Sequence, residues 1–177
     1  FGMTGSLKLV QNPIICPYSS LVIHFDTNTL CIISKKKLGK IMLTADRLRF
    51  IGNRGLGPDA ARVTSQEFMD LFSTRKAKIK TALLNQAIIA GVGNIYADEI
   101  CFQAGIRPYH GLSLLSLPDL NNLYRCLQQV ISLAIKVDAD YSQMPANWLL
   151  HHRHKGDCCH KCGGALEYFH LSGRGTY

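Results

Sequence analysis

The spacing of apolar positions changes period partway along the chain. Up to about residue 45, short apolar runs rich in branched side chains alternate with polar turns. "SLVIHF" (20–25), "TLCIIS" (29–34) and "KIMLTA" (40–45) each fit a β-strand, with Asp26-Thr27-Asn28 as the turn between the first two. Lys35, Lys36, Lys37 and Gly39 read as a hairpin tip or loop. From residue 64 the period becomes helical. Thr64 followed by Glu67 fits a capping box, and Phe68, Leu71 and Phe72 then share one helical face. Ile79, Leu83 and Leu84 suggest a second helix, in an apolar run ending at Ala90, and residues 95–104 a third. A long fourth spans 116–137, with Ser116 as N-cap, Pro118 in the first turn, and Leu120, Leu123, Leu127, Val130, Ile131 and Ala134 as its apolar stripe. Residues 53–63 have linker composition. The expected architecture is α+β: a strand-rich part, a Gly/Pro linker, a helical domain and a cysteine-bearing tail, with no internal repeat.

Composition narrows the class. The 177 residues are 47% hydrophobic and 18% charged, as in a globular protein. No apolar run reaches membrane-spanning length, and no signal-peptide pattern opens the chain. The first residue is Phe1 rather than an initiator Met, so a fragment is expected. Twenty Lys and Arg against twelve Asp and Glu give +8. The excess is uneven: residues 1–60 hold eight basic and three acidic side chains. Such a balance suits a polyanion partner, though solubility alone is the competing explanation. Of seven cysteines, Cys16, Cys31, Cys101 and Cys126 sit among apolar neighbours and read as small buried hydrophobes. Cys158, Cys159 and Cys162 cluster. Without a secretory signal, a reducing cytoplasmic or nucleoid setting and metal binding fit better than a disulfide framework.

One interruption stands out. Gly91-Val92-Gly93 breaks an apolar helical run, and Asn94 stands where the N-cap of the next helix is expected. Glycines let the backbone approach a ligand closely, and a fresh helix start offers bare N–H groups to an anion. A helical hairpin of this kind also serves plain packing. The basic run Arg75, Lys76, Lys78 and Lys80, placed just before it, tilts the reading toward phosphate.

The stretch K-x-x-L-L-x-Q-x-x-I-A-G-V-G-N-I-Y-A-D-E-I-x-F-x-A-G-I-x-P (80–108) resembles the helix–two-turn–helix signature of formamidopyrimidine-DNA glycosylases and their endonuclease VIII relatives. "FGMTGSL" (1–7), "ADRLRFIG" (45–52), "LGPDA" (56–60), "CHKCGG" (159–164) and "GRGTY" (173–177) resemble further family segments in the same order. The resemblance implies residues 1–57 as the C-terminal part of a β-sandwich domain, 58–150 as the helical DNA-binding domain and 151–177 as part of a β-hairpin zinc finger. It implies that Lys80 and Asn94 hold phosphates flanking a damaged nucleotide and that Arg174 clamps the phosphate at the lesion. Met3 matches the side chain pushed into the stack when the base flips, and Phe50 the wedge against the estranged base. The Arg that contacts that base aligns with Leu48, which leaves Arg47 and Arg49 as candidates. Cys159 and Cys162 match half of a tetrahedral zinc site whose second cysteine pair is expected beyond Tyr177; a C-x-x-C pair could alternatively be redox active. The family's N-terminal proline nucleophile and its Glu and Lys partners lie before the matched segment, so no catalytic residue is expected in this chain.

The expected parent is a monomeric base-excision-repair glycosylase and AP lyase acting on oxidised purines in damaged double-stranded DNA, with one zinc ion and no membrane association. An oxidised-pyrimidine enzyme of the endonuclease VIII branch is one alternative. A truncated, non-catalytic zinc-dependent DNA-binding protein is another.

Overall fold

A computed structural model describes residues 5–12, 14, 16–37, 39–154 and 156–177. The chain forms two compact units, divided between Arg47 and Leu48.

The first unit is a three-stranded antiparallel sheet in the order β1 (Ser6–Gln11), β3 (Asn28–Ile33), β2 (Ser19–His24). The pairing sets Leu7 and Leu21 against Ile32, and Leu9 and Ile23 against Leu30. Directly opposed residues share a face, so these six apolar side chains form one continuous surface. Leu7, Leu9, Leu21 and Ile23 are 37–65% exposed. On the opposite face Cys31 and Ile33 are buried beneath Cys16, with Val10 packed against them. A sheet with one covered face and one bare apolar face is what a single layer of a sandwich presents to the other. The strand expected at 40–45 does not form, and Ile41, Met42 and Leu43 are exposed. β3 is the central strand, with β1 on one side and β2 on the other. Periodicity did not single out β1.

Residues 47–53 form helix α1 (Arg47–Asn53), which buries no side chain. The division between units falls ahead of the 57/58 boundary that the resemblance implies. Residues 151–177 lie in the same compact unit as the helices rather than apart from them.

The second unit is built on α2 (Ser65–Phe72), α3 (Ile79–Leu84), α4 (Asn94–Ala104) and α5 (Leu117–Lys136). Both expected caps are present: Thr64 and Glu67 close a capping box on α2, as Ser116 and Asp119 do on α5. The whole predicted stripe of α5 is buried, together with Cys126. It packs in one core with Phe68 and Phe72, whose rings stack at 4.2 Å. α3 stops at Leu84 instead of running to Ala90. The following residues pair with the linker: Gly57 N donates to Gln86 O at 2.9 Å, Ala60 N to Ala90 O at 2.8 Å, and Ala90 N to Pro58 O at 2.8 Å. A Cβ on Gly57 would stand 2.4 Å from the Ile88 carbonyl oxygen, so this close approach requires glycine. Two short antiparallel strands, β4 (Phe169–Leu171) and β5 (Arg174–Thr176), form a hairpin near the chain end. No helix among the described residues is long and apolar enough to cross a membrane.

The hydroxyl and then the amide of Ser116 hold the Asp119 carboxyl below its ordinary value, and the amide and then the hydroxyl of Thr64 do the same for Glu67. A depressed folded-state pKa adds stability above the unfolded value and loses it as pH falls through the folded one. Ser116→Ala should cost about 1 kcal/mol in urea unfolding at neutral pH. The penalty should shrink in acid, below the folded-state pKa of Asp119; an undiminished penalty there would show that the carboxylate does not support the cap.

Candidate nucleic-acid interface

The site is organised by a buried lysine. At the start of α3, Ile79 N donates to His110 O and Lys80 N to Pro108 O, which seats this turn against the chain following α4. Lys80 is wholly buried. Its ammonium donates to Gly175 O at 2.8 Å and Thr176 Oγ1 at 2.7 Å, and lies 2.7 Å from Asp98 Oδ1. An ammonium has three N–H groups, so all are in use. The other Asp98 oxygen meets Arg153 Nη2 at 2.9 Å, and Asp98 is itself buried. Arg153 also reaches Ile95 O at 3.4 Å and lies over the Tyr177 ring at 5.2 Å. Burial pushes the Lys80 ammonium down and the Asp98 carboxyl up, while their mutual attraction, joined by Arg153 on the Asp98 side, works against both shifts. Two cations around one carboxylate leave a net positive centre.

The Gly turn feeds the same point. Gly91 has φ +100°, a conformation glycine adopts without strain, and its N–H donates to Gln86 Oε1 at 2.9 Å. Gly93, in extended conformation, is the N-cap of α4, and it makes no side-chain cap bond. Asn94 is therefore the first helical residue and not the cap that the sequence suggested. Its side chain turns away to donate from Nδ2 to Gly175 O at 3.1 Å, leaving one N–H of that amide, while Oδ1 is buried with no hydrogen-bond partner among the described residues. The amides of the first turn of α4 have no intrahelical acceptor.

Lys80 and Asn94 thus converge on one carbonyl oxygen, that of Gly175. The preceding residue is Arg174, whose side chain is exposed. The hairpin turn beside it, Ser172 and Gly173, is joined to α3 by a 3.1 Å contact between Ser172 Oγ and Thr81 Oγ1. The structure brings these three expected DNA contacts together, with Lys80 as an internal anchor and Arg174 outermost. Arg75, Lys76 and Lys78 of the basic run are exposed.

The remaining predicted residues are more dispersed. Met3 lies outside the described residues. Arg47 and Arg49 are exposed on α1, Leu48 between them is 80% exposed, and Arg54 lies over the half-buried Phe50 ring at 5.0 Å. Cys159 and Cys162 stand in a tight loop in which Cys159 N donates to Gly164 O at 2.6 Å and Gly163 N to Cys159 O at 2.7 Å. Burial opposes ionisation of Cys159, yet the amides of Cys162 and Lys161 hold its thiol below the ordinary value. Amides aimed at a sulfur suit a thiolate ligand, so this pair fits two positions of a tetrahedral metal site. No group of three or more metal-ligating side chains occurs among the described residues.

Sequence reasoning missed Asp98, Glu99, Arg153 and Thr176. Glu99 is wholly buried and accepts from Gln103 Nε2 at 2.6 Å and Leu150 N at 2.9 Å, tying α4 to the chain after α5. The available signal was the Asp98-Glu99 doublet amid apolar residues. Removing the shared partner with Asp98→Ala would leave two cations facing each other in the core and should cost about 3–5 kcal/mol in chemical unfolding. A loss below about 1 kcal/mol would mean that solvent already screens the pair.

A profile of the formamidopyrimidine-DNA glycosylase H2TH domain matches residues 55–146. A formamidopyrimidine-DNA glycosylase of Geobacter metallireducens is 34% identical over 189 residues, which is 99% of this chain and 70% of that protein. One from Arabidopsis thaliana is 36% identical over 141 residues, or 78% of this chain, and the match spans 36% of its length. Among solved structures, Lactococcus lactis Fpg in complex with an abasic-site DNA superposes with a TM-score of 0.82 at 24% identity, over 99% of this chain and 70% of that one. MutM in complex with carbocyclic 8-oxo-G DNA gives 0.83 at 24% identity, over 99% and 69%. These two likenesses establish the fold. With the domain profile and the bacterial relative, they place the chain in the formamidopyrimidine-DNA glycosylase family.

Proposed function

We propose that this chain supplies the DNA grip of a base-excision-repair glycosylase and AP lyase acting on oxidised purines of the 8-oxoguanine and formamidopyrimidine type. The observation that carries the reading is the shared Gly175 carbonyl. It fixes Asn94, Lys80 and the exposed Arg174 in one positively charged centre at a helix start. A guanidinium forks onto a phosphate through two parallel N–H bonds, and the bare amides of α4 add further donors. Lys80 acts from behind, holding the strand that presents Arg174, and Asp98 keeps Lys80 charged. Phosphate contacts of this kind set register on the duplex without reading sequence, as an enzyme that searches for damage requires. Base removal through a Schiff base and strand cleavage by elimination are assigned to the whole enzyme. The relatives' name, and the abasic and 8-oxo-G DNA bound by the structural neighbours, support the lesion class.

Cys159 and Cys162 would hold a zinc ion, which supplies structural cross-linking of the hairpin region and no chemistry of its own. Cobalt substitution tests this: a thiolate-to-metal absorption band should appear on titration and disappear in Cys159→Ser and in Cys162→Ser. A band that persists in both would place the metal elsewhere.

Binding to an abasic-site duplex, followed by fluorescence anisotropy across a salt series, tests the grip. Arg174→Ala should weaken binding and lower the salt slope by about 1, as expected for one lost phosphate contact. Asn94→Ala should weaken binding with the slope unchanged. Wild-type affinity in both variants would remove this site from the interface.

A further inference from the structure

Outside the nucleic-acid centre, the first compact unit contains a thiol pair that the proposed function does not use. Cys16 lies on the connection between β1 and β2, and Cys31 lies at the middle of β3. The connection is pinned over the sheet at three points. Ser19 Oγ donates to Cys16 O at 2.6 Å, Ser34 N donates to Tyr18 O at 3.1 Å, and Cys16 N donates to Cys31 Sγ at 3.4 Å. Tyr18 takes φ +61°, a left-handed conformation that a non-glycine residue holds at a cost, and it sits two residues from Cys16. The result presses the sulfur of Cys31 against the backbone of Cys16, and both side chains belong to one small buried cluster. Both cysteines are free thiols. Cys31 is wholly enclosed, whereas Cys16 is 8% exposed and gives solvent a path to the pair.

We infer that Cys16 and Cys31 are an oxidation site, a dithiol that a small hydroperoxide converts to a reversible disulfide. The electrostatics divide the two roles. The Cys16 amide, and beyond it the Ser19 hydroxyl, hold the Cys31 thiol below its ordinary value, against the effect of burial. Burial, followed by the neighbouring Cys31 sulfur, raises Cys16. Lys8, paired across the sheet with Cys31, adds a positive charge that lowers Cys16 in turn. A more readily ionised thiol beside a less readily ionised one is the arrangement in which one sulfur attacks and the other resolves.

The chemistry balances with hydrogen peroxide as oxidant. One sulfur attacks a peroxide oxygen and the O–O bond breaks. The departing hydroxide takes the thiol proton as water, leaving a sulfenic acid. The second sulfur attacks the sulfenic sulfur, the S–O bond breaks, and that hydroxide leaves with the second thiol proton. Two thiols and one peroxide thus give one disulfide and two waters.

The test is peroxide treatment of the folded chain, quenching, alkylation in denaturant and peptide mapping. A linked Cys16–Cys31 peptide, two hydrogens lighter than its parts, should form and should revert with dithiothreitol. It should form at least about tenfold faster in the folded than in the guanidinium-unfolded chain, where proximity is lost and links scatter. In Cys16→Ser, Cys31 should no longer be recovered in a linked peptide from the folded chain. Recovery of both cysteines unlinked from the folded wild type would overturn the inference, and so would equal rates in folded and unfolded chain. Those two readouts need only the wild-type protein, so a variant that failed to fold would not obscure the answer.

Discussion

A lysine buried without compensation would be driven toward its neutral form, and the second unit is arranged to oppose that drive. Asp98 supplies the counter-charge, Thr176 and Gly175 take the other two N–H groups, and Arg153 balances the far carboxylate oxygen. These partners come from α4, the chain after α5 and the last strand, while α3 carries the lysine itself. Satisfying one ammonium therefore requires four separate pieces of chain to be in place together. An apolar side chain at position 80 could pack as tightly, but it would not demand a particular partner on each piece. The pair is better understood as specifying an arrangement than as adding stability.

That arrangement explains how a weakly amphipathic stretch becomes a site. α4 carries charge on a buried side, which hydrophobic periodicity alone would penalise. Asp98 and Glu99 point in different directions and each finds donors: Asp98 toward the lysine and arginine, Glu99 toward Gln103 and Leu150. With the helix held on both sides, the backbone amides of its first turn have no intrahelical acceptor.

The sequence was most legible where structure is local. The capping boxes of α2 and α5 and the 3.6-residue stripe of α5 depend on neighbours within a few positions, and all are present. Legibility failed where a distant segment decides the outcome. Residues 40–45 have strand composition, but they form no strand, and Ile41, Met42 and Leu43 stay exposed. The run toward Ala90 has helix composition, but the linker around Gly57 captured its backbone. Lys78 and Lys80 are indistinguishable by charge, yet one is exposed and the other fully enclosed, because only the second faces Asp98. Asn94 was cast as a cap and is instead the first helical residue; what its side chain contacts lies 81 positions away. The family resemblance supplied Arg174, which neither composition nor periodicity would have separated from any other surface arginine.

The Gly175 oxygen accepts from a donor on α3 and a donor on α4 at the same time. Two helices joined through a single acceptor cannot slide against each other without one of them losing its bond. The residue carrying that acceptor directly follows Arg174. The outermost cation is therefore a mechanical readout of the turn between the helices: a load on the arginine pulls on both, and a distortion of either displaces it.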